Sequence, residues 1–185
     1  MSQSTKQIKT ITIGELNRRA SDIHKFIETS EQQYADKIKA AADTIAQCHS
    51  EKPLVLLSGP SGSGKTSTAY RIASELTAKG IKAVVISMDD YFVPGMIPPD
   101  ENGKVDLEAP ARVDCELLKK DLRTLASGGE VQLPKFDFTD NSRRCGNKVR
   151  CDGNTIVIIE GIHALNPDVT GRMHDHATFI YVSVR

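Results

Sequence analysis

A chain of 185 residues is long enough for one domain of ordinary size, or one domain with an extension, and buries a core without disulfide support. Lys plus Arg and Asp plus Glu both number 24, so no global field draws the chain to nucleic acid or to an anionic membrane. Cys48, Cys115, Cys145 and Cys151 are too scattered for a disulfide framework or the usual zinc pairs, no apolar run is longer than a strand, and the first residues lack the apolar stretch of a signal peptide; a cytoplasmic protein with reduced thiols is expected.

Between residues 15 and 28, Leu16, Ala20, Ile23, Phe26 and Ile27 recur at helical spacing and predict an amphipathic helix. Ser30 and Gln33 have the spacing of a capping box ahead of Tyr34, Ile38, Ala41, Ala42 and Ile45, which predicts a second helix beginning there. Each stripe needs a surface to cover it. Residues 1–51 are therefore expected as a helical extension packed on the core, with a partner-binding arm as the alternative.

From Pro53 onward, short β-rich runs alternate with helical stretches, the pattern of a parallel sheet covered by helices. The runs are Leu54 to Leu57, Ala83 to Ser87, Thr155 to Ile159 and Thr178 to Val184. A helix is predicted from about Lys65 to Lys79, with Ala69, Ile72, Ala73 and Leu76 inward and Gly80 ending it. Asp114 caps another that buries Leu118, Leu122 and Leu125 and stops at Gly128-Gly129. The long stretch 93–112 is rich in Pro and Gly and reads as a functional loop. Val131 to Arg150 alternates around Phe136 and Phe138 and then supplies the turn formers Asp140, Asn141 and Ser142, which predicts a β-hairpin lobe.

Directly after the first run, Gly59-Pro60-Ser61-Gly62-Ser63-Gly64-Lys65-Thr66 matches G-x-x-x-x-G-K-[ST] in full, between a predicted strand and a predicted helix. Glycines let backbone N–H groups turn inward around phosphate oxygens, and the helix N-terminus adds the positive end of its dipole. Lys65 reaches the outer phosphates, and the Thr66 hydroxyl offers an oxygen to magnesium. The competing dinucleotide fingerprint fails because Ser67 stands where its third glycine belongs. The nucleotide-binding set is Gly59, Ser61, Gly62, Ser63, Gly64, Lys65, Thr66 and Ser67.

Ligands of open α/β sheets sit beyond the carboxyl ends of the strands. Two acids stand there: Asp89, in Ser87-Met88-Asp89-Asp90, and Glu160, ahead of Gly161-Ile162-His163. With their strands beside the phosphate-loop strand, both would project toward the transferred phosphate. Asp89 suits the base that takes a proton from an acceptor hydroxyl, and Glu160 suits a magnesium ligand after an apolar strand. Asp90 is the weaker candidate, since one of two adjacent acids usually points away. His163 is polar glue in its turn or a substrate contact, and His174 with His176 reads as a solvated loop.

From about Lys52 to Arg185 the chain resembles the uridine kinase group of P-loop kinases, whose wider family includes phosphoribulokinase and bacterial pantothenate kinase. The pieces are GPSGSGKT, SMDDYF, LPKFDF followed by Ser142-Arg143, and IVIIEGIHAL, in family order. The added N-terminal helices look closest to bacterial uridine-kinase-related proteins with extra sequence ahead of the core. The resemblance implies a P-loop NTPase fold: three α/β/α layers, a mainly parallel sheet, an N-terminal helical extension (1–51) and a kinase core (52–185) with a small β-hairpin substrate lobe. It implies ATP and Mg2+, Lys65 and Asp89 as catalytic residues, Asp89, Thr66 and Glu160 at the metal, and a small-molecule acceptor met by Tyr91, Phe136, Phe138, Asn141, Arg143 and His163. No nucleic-acid or membrane partner is implied, and homo-oligomerisation is left open.

Two departures bear on this. Ala109-Pro110-Ala111-Arg112 stands where uridine and cytidine kinases have His-Pro-Asp-Ala, whose aspartate holds the ribose hydroxyls, and Asn141 stands where they have a base-reading histidine; pyrimidine nucleoside specificity is therefore left open. The resemblance also implies an arginine-rich lid after the strand ending at Val184, and the sequence as given reaches Arg185, so nucleotide binding with low turnover is the expectation for it.

Overall fold

The computed structural model describes residues 12–95, 101, 103, 106 and 108–183. By Cα proximity the chain divides into two compact units, Met1–Lys37 and Ile38–Arg185, a division that falls ahead of the expected one at residue 51.

In the first unit, helix α1 (Ile13–Ala20) is capped by Thr12, whose side chain accepts from the Glu15 N–H. Helix α2 (Ile23–Cys48) starts after a break at Ser21 and Asp22, where the Asp22 carboxylate accepts from the Lys25 N–H at 3.1 Å. The boundary predicted at Ser30 is thus corrected. Ser30 lies inside one continuous helix, and its hydroxyl donates back to the Phe26 carbonyl, a bond that satisfies the side chain without opening the backbone ladder. Leu16, Ile23 and Ile27 of the stripe read over 15–28 are exposed, and Ile38, Ala42 and Ile45, on the part of α2 that belongs to the second unit, are buried.

The second unit is built on a parallel sheet in the order β2-β5-β1-β6, with β1 Leu54–Ser58, β2 Lys82–Ser87, β5 Thr155–Glu160 and β6 Ala177–Tyr181. Strands β1 and β5 are buried along their whole length, as expected of central parallel strands covered on both faces. Leu54 and Leu56 join Ile86, Val157 and Ile159 in one cluster with Leu118, Leu122 and Leu125 of α4 (Cys115–Ala126). Helix α3 (Lys65–Ala78) buries Ala69, Ile72, Ala73 and Leu76 and packs along β1, β2 and β5. The arrangement is a three-layer α/β/α fold with helices on a parallel sheet.

Between α4 and β5 the chain forms an antiparallel hairpin of β3 (Glu130–Asp137) and β4 (Ser142–Arg150), with a register shift between Gln132 and Pro134. A proline cannot donate to the ladder, which accounts for the irregularity there. Asn141 takes the left-handed turn position, φ 55°, a conformation Asn tolerates better than most residues. The fifth helix, α5 (Pro167–Thr170), is a single turn ahead of β6.

Candidate active site

The phosphate loop occupies the turn from β1 into α3. Gly62 and Gly64 have φ of 71° and 83°, left-handed values at which glycine alone avoids a steric penalty. At Gly59 the requirement is space: a Cβ there would lie 2.2 Å from the Val182 carbonyl oxygen and 2.8 Å from Ser63 Oγ. The Lys65 ammonium folds back across the loop and donates to the Pro60 carbonyl at 2.8 Å. Ser63 Oγ is buried with no hydrogen-bond partner among the described residues. A buried hydroxyl without a partner is costly, and beside a lysine held by one neutral carbonyl it fits a polyphosphate anion.

The two strand-end acids arrive by different routes. Strand β5 lies directly beside β1, with Leu57 in register with Glu160, so Glu160 meets the loop at its base. Its carboxylate is buried and accepts from the Thr66 hydroxyl at 3.1 Å. Strand β2 pairs with β5, one place further out, so of the two acids only Glu160 follows a strand that flanks β1. A single helical turn of 3-10 type, Met88–Tyr91, follows β2, and the Ser87 side chain accepts from the Asp89 N–H at its start. Gly161 lets this turn close on the end of β5, because a Cβ there would stand 2.6 Å from Met88 Cβ. The result is one cleft of about 300 Å³ lined by Ser61, Lys65 and Thr66 of the loop together with Asp89 and Glu160.

Asp89 faces the cleft. The walls around it desolvate the carboxylate and raise its pKa, Arg112 and then Lys65 oppose that shift, and Asp90 reinforces it. Asp90 itself points away, pairing with the Lys135 ammonium at 3.0 Å and accepting from the Phe136 N–H at 3.2 Å. It ties the turn to the hairpin.

The residues expected at the acceptor divide. Phe138 is 64% exposed and lines the cleft, with Phe136 behind it at 5.0 Å between ring centroids. His163 lies beside Asp89 in a smaller recess, its Nε2 2.6 Å from the Glu108 carbonyl oxygen. Tyr91, Asn141 and Arg143 stand elsewhere. Tyr91 is 1% exposed because the 3-10 turn directs it into the core, where its hydroxyl donates to Asp121 at 3.1 Å. Asn141 sits at the hairpin tip and donates to the Gly95 carbonyl. Arg143 pairs with Asp114 at 2.8 Å, bracing the N-cap of α4. None of the three lines the cleft.

Phe92, Glu108, Arg112 and Ile162 do line it without having been singled out for it. Phe92 bridges to Val113 and packs edge-on against Phe136 and Phe138. The Arg112 guanidinium carbon lies 4.1 Å over the Phe92 ring. The signal was available in Pro110, which starts the turn carrying Arg112, but the pairing of Phe92 with Val113 links segments far apart in sequence.

A parallel sheet whose first strand runs through a glycine-rich phosphate loop into a helix, with acids gathered at the carboxyl ends of neighbouring strands, defines the P-loop kinase class. Residues 54–183 match the Phosphoribulokinase / Uridine kinase family, and the chain belongs to that family. It is 36% identical over 116 residues to uridine-cytidine kinase C of Dictyostelium discoideum, covering 63% of this chain and 24% of that protein. It is 31% identical over 126 residues to the uridine kinase of Lactobacillus helveticus, covering 66% of this chain and 59% of that protein. The chain thus spans less than two thirds of the length of these relatives. Among solved structures, a possible uridine kinase from Bacillus stearothermophilus superposes with a TM-score of 0.67 at 21% identity over 83% of each chain. A putative fructose transport system kinase from Silicibacter sp. TM1040 gives 0.65 at 24% identity over 80% of this chain and 75% of that one. At such identities the likeness speaks for the fold alone. Among the described residues no helix is long and apolar enough to cross a membrane.

Proposed function

We propose that the protein transfers a phosphoryl group from ATP, with magnesium, to a hydroxyl of a uridine- or cytidine-like nucleoside or a related small metabolite. The observation that carries this reading is the meeting of Lys65, Thr66, Asp89 and Glu160 in one cleft. Residues 52–185 are the kinase core in this reading, and 1–51 a helical extension.

The loop amides, the Ser61 and Ser63 hydroxyls, Lys65 and Ser67 hold the donor phosphates, and the orphaned Ser63 hydroxyl gains a partner there. Thr66, Glu160 and Asp89 are the oxygen donors suited to magnesium, which when bound neutralises charge on the phosphate oxygens. Asp89 accepts the proton from the acceptor hydroxyl as the new O–P bond forms and the bond between the γ-phosphorus and the bridging oxygen breaks, ADP being the leaving group. Phe138, backed by Phe136 and Phe92, offers an apolar face to a flat acceptor. His163 holds the Glu108 segment against the recess beside Asp89 and takes a contact to the acceptor there.

A screen of nucleosides and other small alcohols with labelled ATP and magnesium tests this. Transfer of label to an acceptor that competes with the others supports it. ATP binding without transfer to any acceptor favours a second reading, a nucleotide-binding regulatory module, for which the Ala109-Pro110-Ala111-Arg112 stretch at the cleft edge is the supporting feature.

A further inference from the structure

We propose that the chain carries a second oxyanion site at the amino ends of β1 and β6, where Arg123, Arg172 and His176 bind a phosphate group, free or carried by a small metabolite. A cavity of about 440 Å³ opens there. Its walls come from two segments distant in sequence. The end of α4 gives Arg123, Ala126 and Ser127, and the connection from α5 to β6 gives Arg172, Met173 and His176. The sheet sets the place: the His176 carbonyl accepts at 3.2 Å from the N–H of Leu54, the first residue of β1, whereas the phosphate loop follows the last, Ser58. At about 3.3 Å per residue, β1 separates the two by roughly 16 Å, and the cavity and the cleft share no lining residue.

Charge distinguishes this cavity from an ordinary surface hollow. Neither arginine makes an ion pair or a side-chain hydrogen bond among the described residues, and no acid lines the space. In a chain whose charges balance at 24 of each sign, two guanidiniums and an imidazole converging without a carboxylate form a local excess that an anion neutralises. An arginine in the last turn of a helix ordinarily serves the carbonyls exposed there. Here the backbone already serves them: the Arg123, Thr124 and Leu125 carbonyls accept from the Ser127, Gly129 and Gly128 N–H groups at 3.1, 2.8 and 3.0 Å. The Ser127 hydroxyl donates to the Thr124 carbonyl. The donors left to a ligand are therefore the two guanidiniums and a ring N–H of His176.

The shape matches a phosphate-bearing small molecule. Each guanidinium offers a two-pronged fork to phosphate oxygens, and two forks from different segments suit a tetrahedral group with several free oxygens better than a flat carboxylate. His176 is held by the backbone on both sides, since its N–H also donates to the Met173 carbonyl at 3.1 Å. Met173, 4% exposed, and Ala126 supply apolar surface for a carbon skeleton, and the volume lies in the range of small-molecule pockets.

The experiment measures binding of glycerol 3-phosphate, inorganic phosphate and glycerol by calorimetry. It uses the full chain and a Lys65→Ala variant, in which the phosphate loop has lost its own cation. The expected result is that both phosphates bind Lys65→Ala and glycerol does not. Adding Arg123→Gln and Arg172→Gln together should weaken that binding at least tenfold, and Arg123→Lys with Arg172→Lys should keep part of it. Tighter binding of the ester supports a metabolite as the occupant, and tighter binding of the free ion supports inorganic phosphate. Thermal melts check folding, and the single variants Arg123→Gln and Arg172→Gln, each expected to weaken binding several-fold, serve should the double variant fail to fold. Phosphate binding that disappears in Lys65→Ala and is unchanged in the arginine variants overturns the proposal, as does capture of an oligonucleotide with neither small phosphate bound.

Discussion

The Thr66 hydroxyl donates to Glu160 Oε1 at 3.1 Å, joining the first turn of α3 to the end of the neighbouring strand β5. Glu160 ends a strand buried along its whole length and Thr66 stands in the first turn of α3, so the contact fixes two prospective metal ligands relative to the phosphate loop. Glu160→Gln keeps an oxygen that can accept from Thr66 while removing the negative charge. The expected outcome is a melting temperature within a few degrees of wild type and a loss of roughly tenfold or more in magnesium-dependent ATP affinity. Calorimetric titration with and without magnesium checks it. An unchanged magnesium dependence would remove Glu160 from the metal site.

Asp89→Asn separates chemistry from binding. Loss of a general base costs about a hundredfold or more in transfer rate, whereas the ATP dissociation constant in the presence of a metal-free analogue buffer should move little. Wild-type transfer by this variant would end the case for Asp89 as base.

The raised pKa of Asp89 also makes a statement about stability. Its folded pKa lies above its unfolded one, so the unfolded chain loses the proton first and stability falls as the pH rises from the ordinary carboxylate pKa through the folded value. Asp89→Asn removes that penalty. The variant should unfold at higher denaturant concentration than wild type at neutral pH, with the difference shrinking as the pH drops below the ordinary aspartate range. The same shift predicts an acidic limb of the kcat/KM profile lying above that range. Urea melts at several pH values, beside a pH–rate profile, test both halves.

Tyr91 and Asp121 form a buried pair. Burial and the Asp121 charge push the Tyr91 phenol pKa far up, and burial raises that of Asp121 against the pull of the Tyr91 hydrogen bond. Tyr91→Phe leaves the Asp121 carboxylate, 5% exposed, without its donor and should cost about 1–3 kcal/mol. Asp121→Asn retains an acceptor oxygen and should cost less. Because Tyr91 faces the core, the acceptor KM of Tyr91→Phe should stay at the wild-type value; a raised KM at full stability would return Tyr91 to the substrate site.

The phosphate loop was legible because its function is written in local backbone chemistry: Gly62, Gly64 and Lys65 are neighbours in sequence as in space. Asp89 and Glu160 were legible because a parallel sheet presents its carboxyl ends on one side, even though the order β2-β5-β1 could not be read from the strands. What failed depended on direction over one or two residues or on distant pairing. Asp89, Asp90 and Tyr91 share one turn, yet each leaves it toward a different partner, and only the packing of the hairpin and α4 around them decides which. Ser30 shows the same limit, since its capping-box spacing is equally compatible with a hydroxyl bonded inside a continuous helix. The placements of Arg143 and Arg112 were not legible because their partners, Asp114 and Phe92, lie 29 residues and a full loop away.

Gly161 is the position at which fold and site are most tightly linked. An added methyl group would stand 2.6 Å from Met88 Cβ and 3.1 Å from its sulfur. The first of these neighbours is fixed by the backbone and cannot swing aside. Gly161→Ala must therefore part the end of β5 from the turn that carries Asp89, at a cost of about 1–3 kcal/mol for the overpacking. The shift acts on Asp89, while the phosphate loop is set by its own turns at Gly62 and Gly64. The variant should bind ATP nearly as wild type but transfer phosphoryl groups at least tenfold more slowly, a pattern that misplacement by a fraction of an ångström can produce. Titration and single-turnover kinetics on folded protein distinguish this from general destabilisation, which would weaken ATP binding and transfer together.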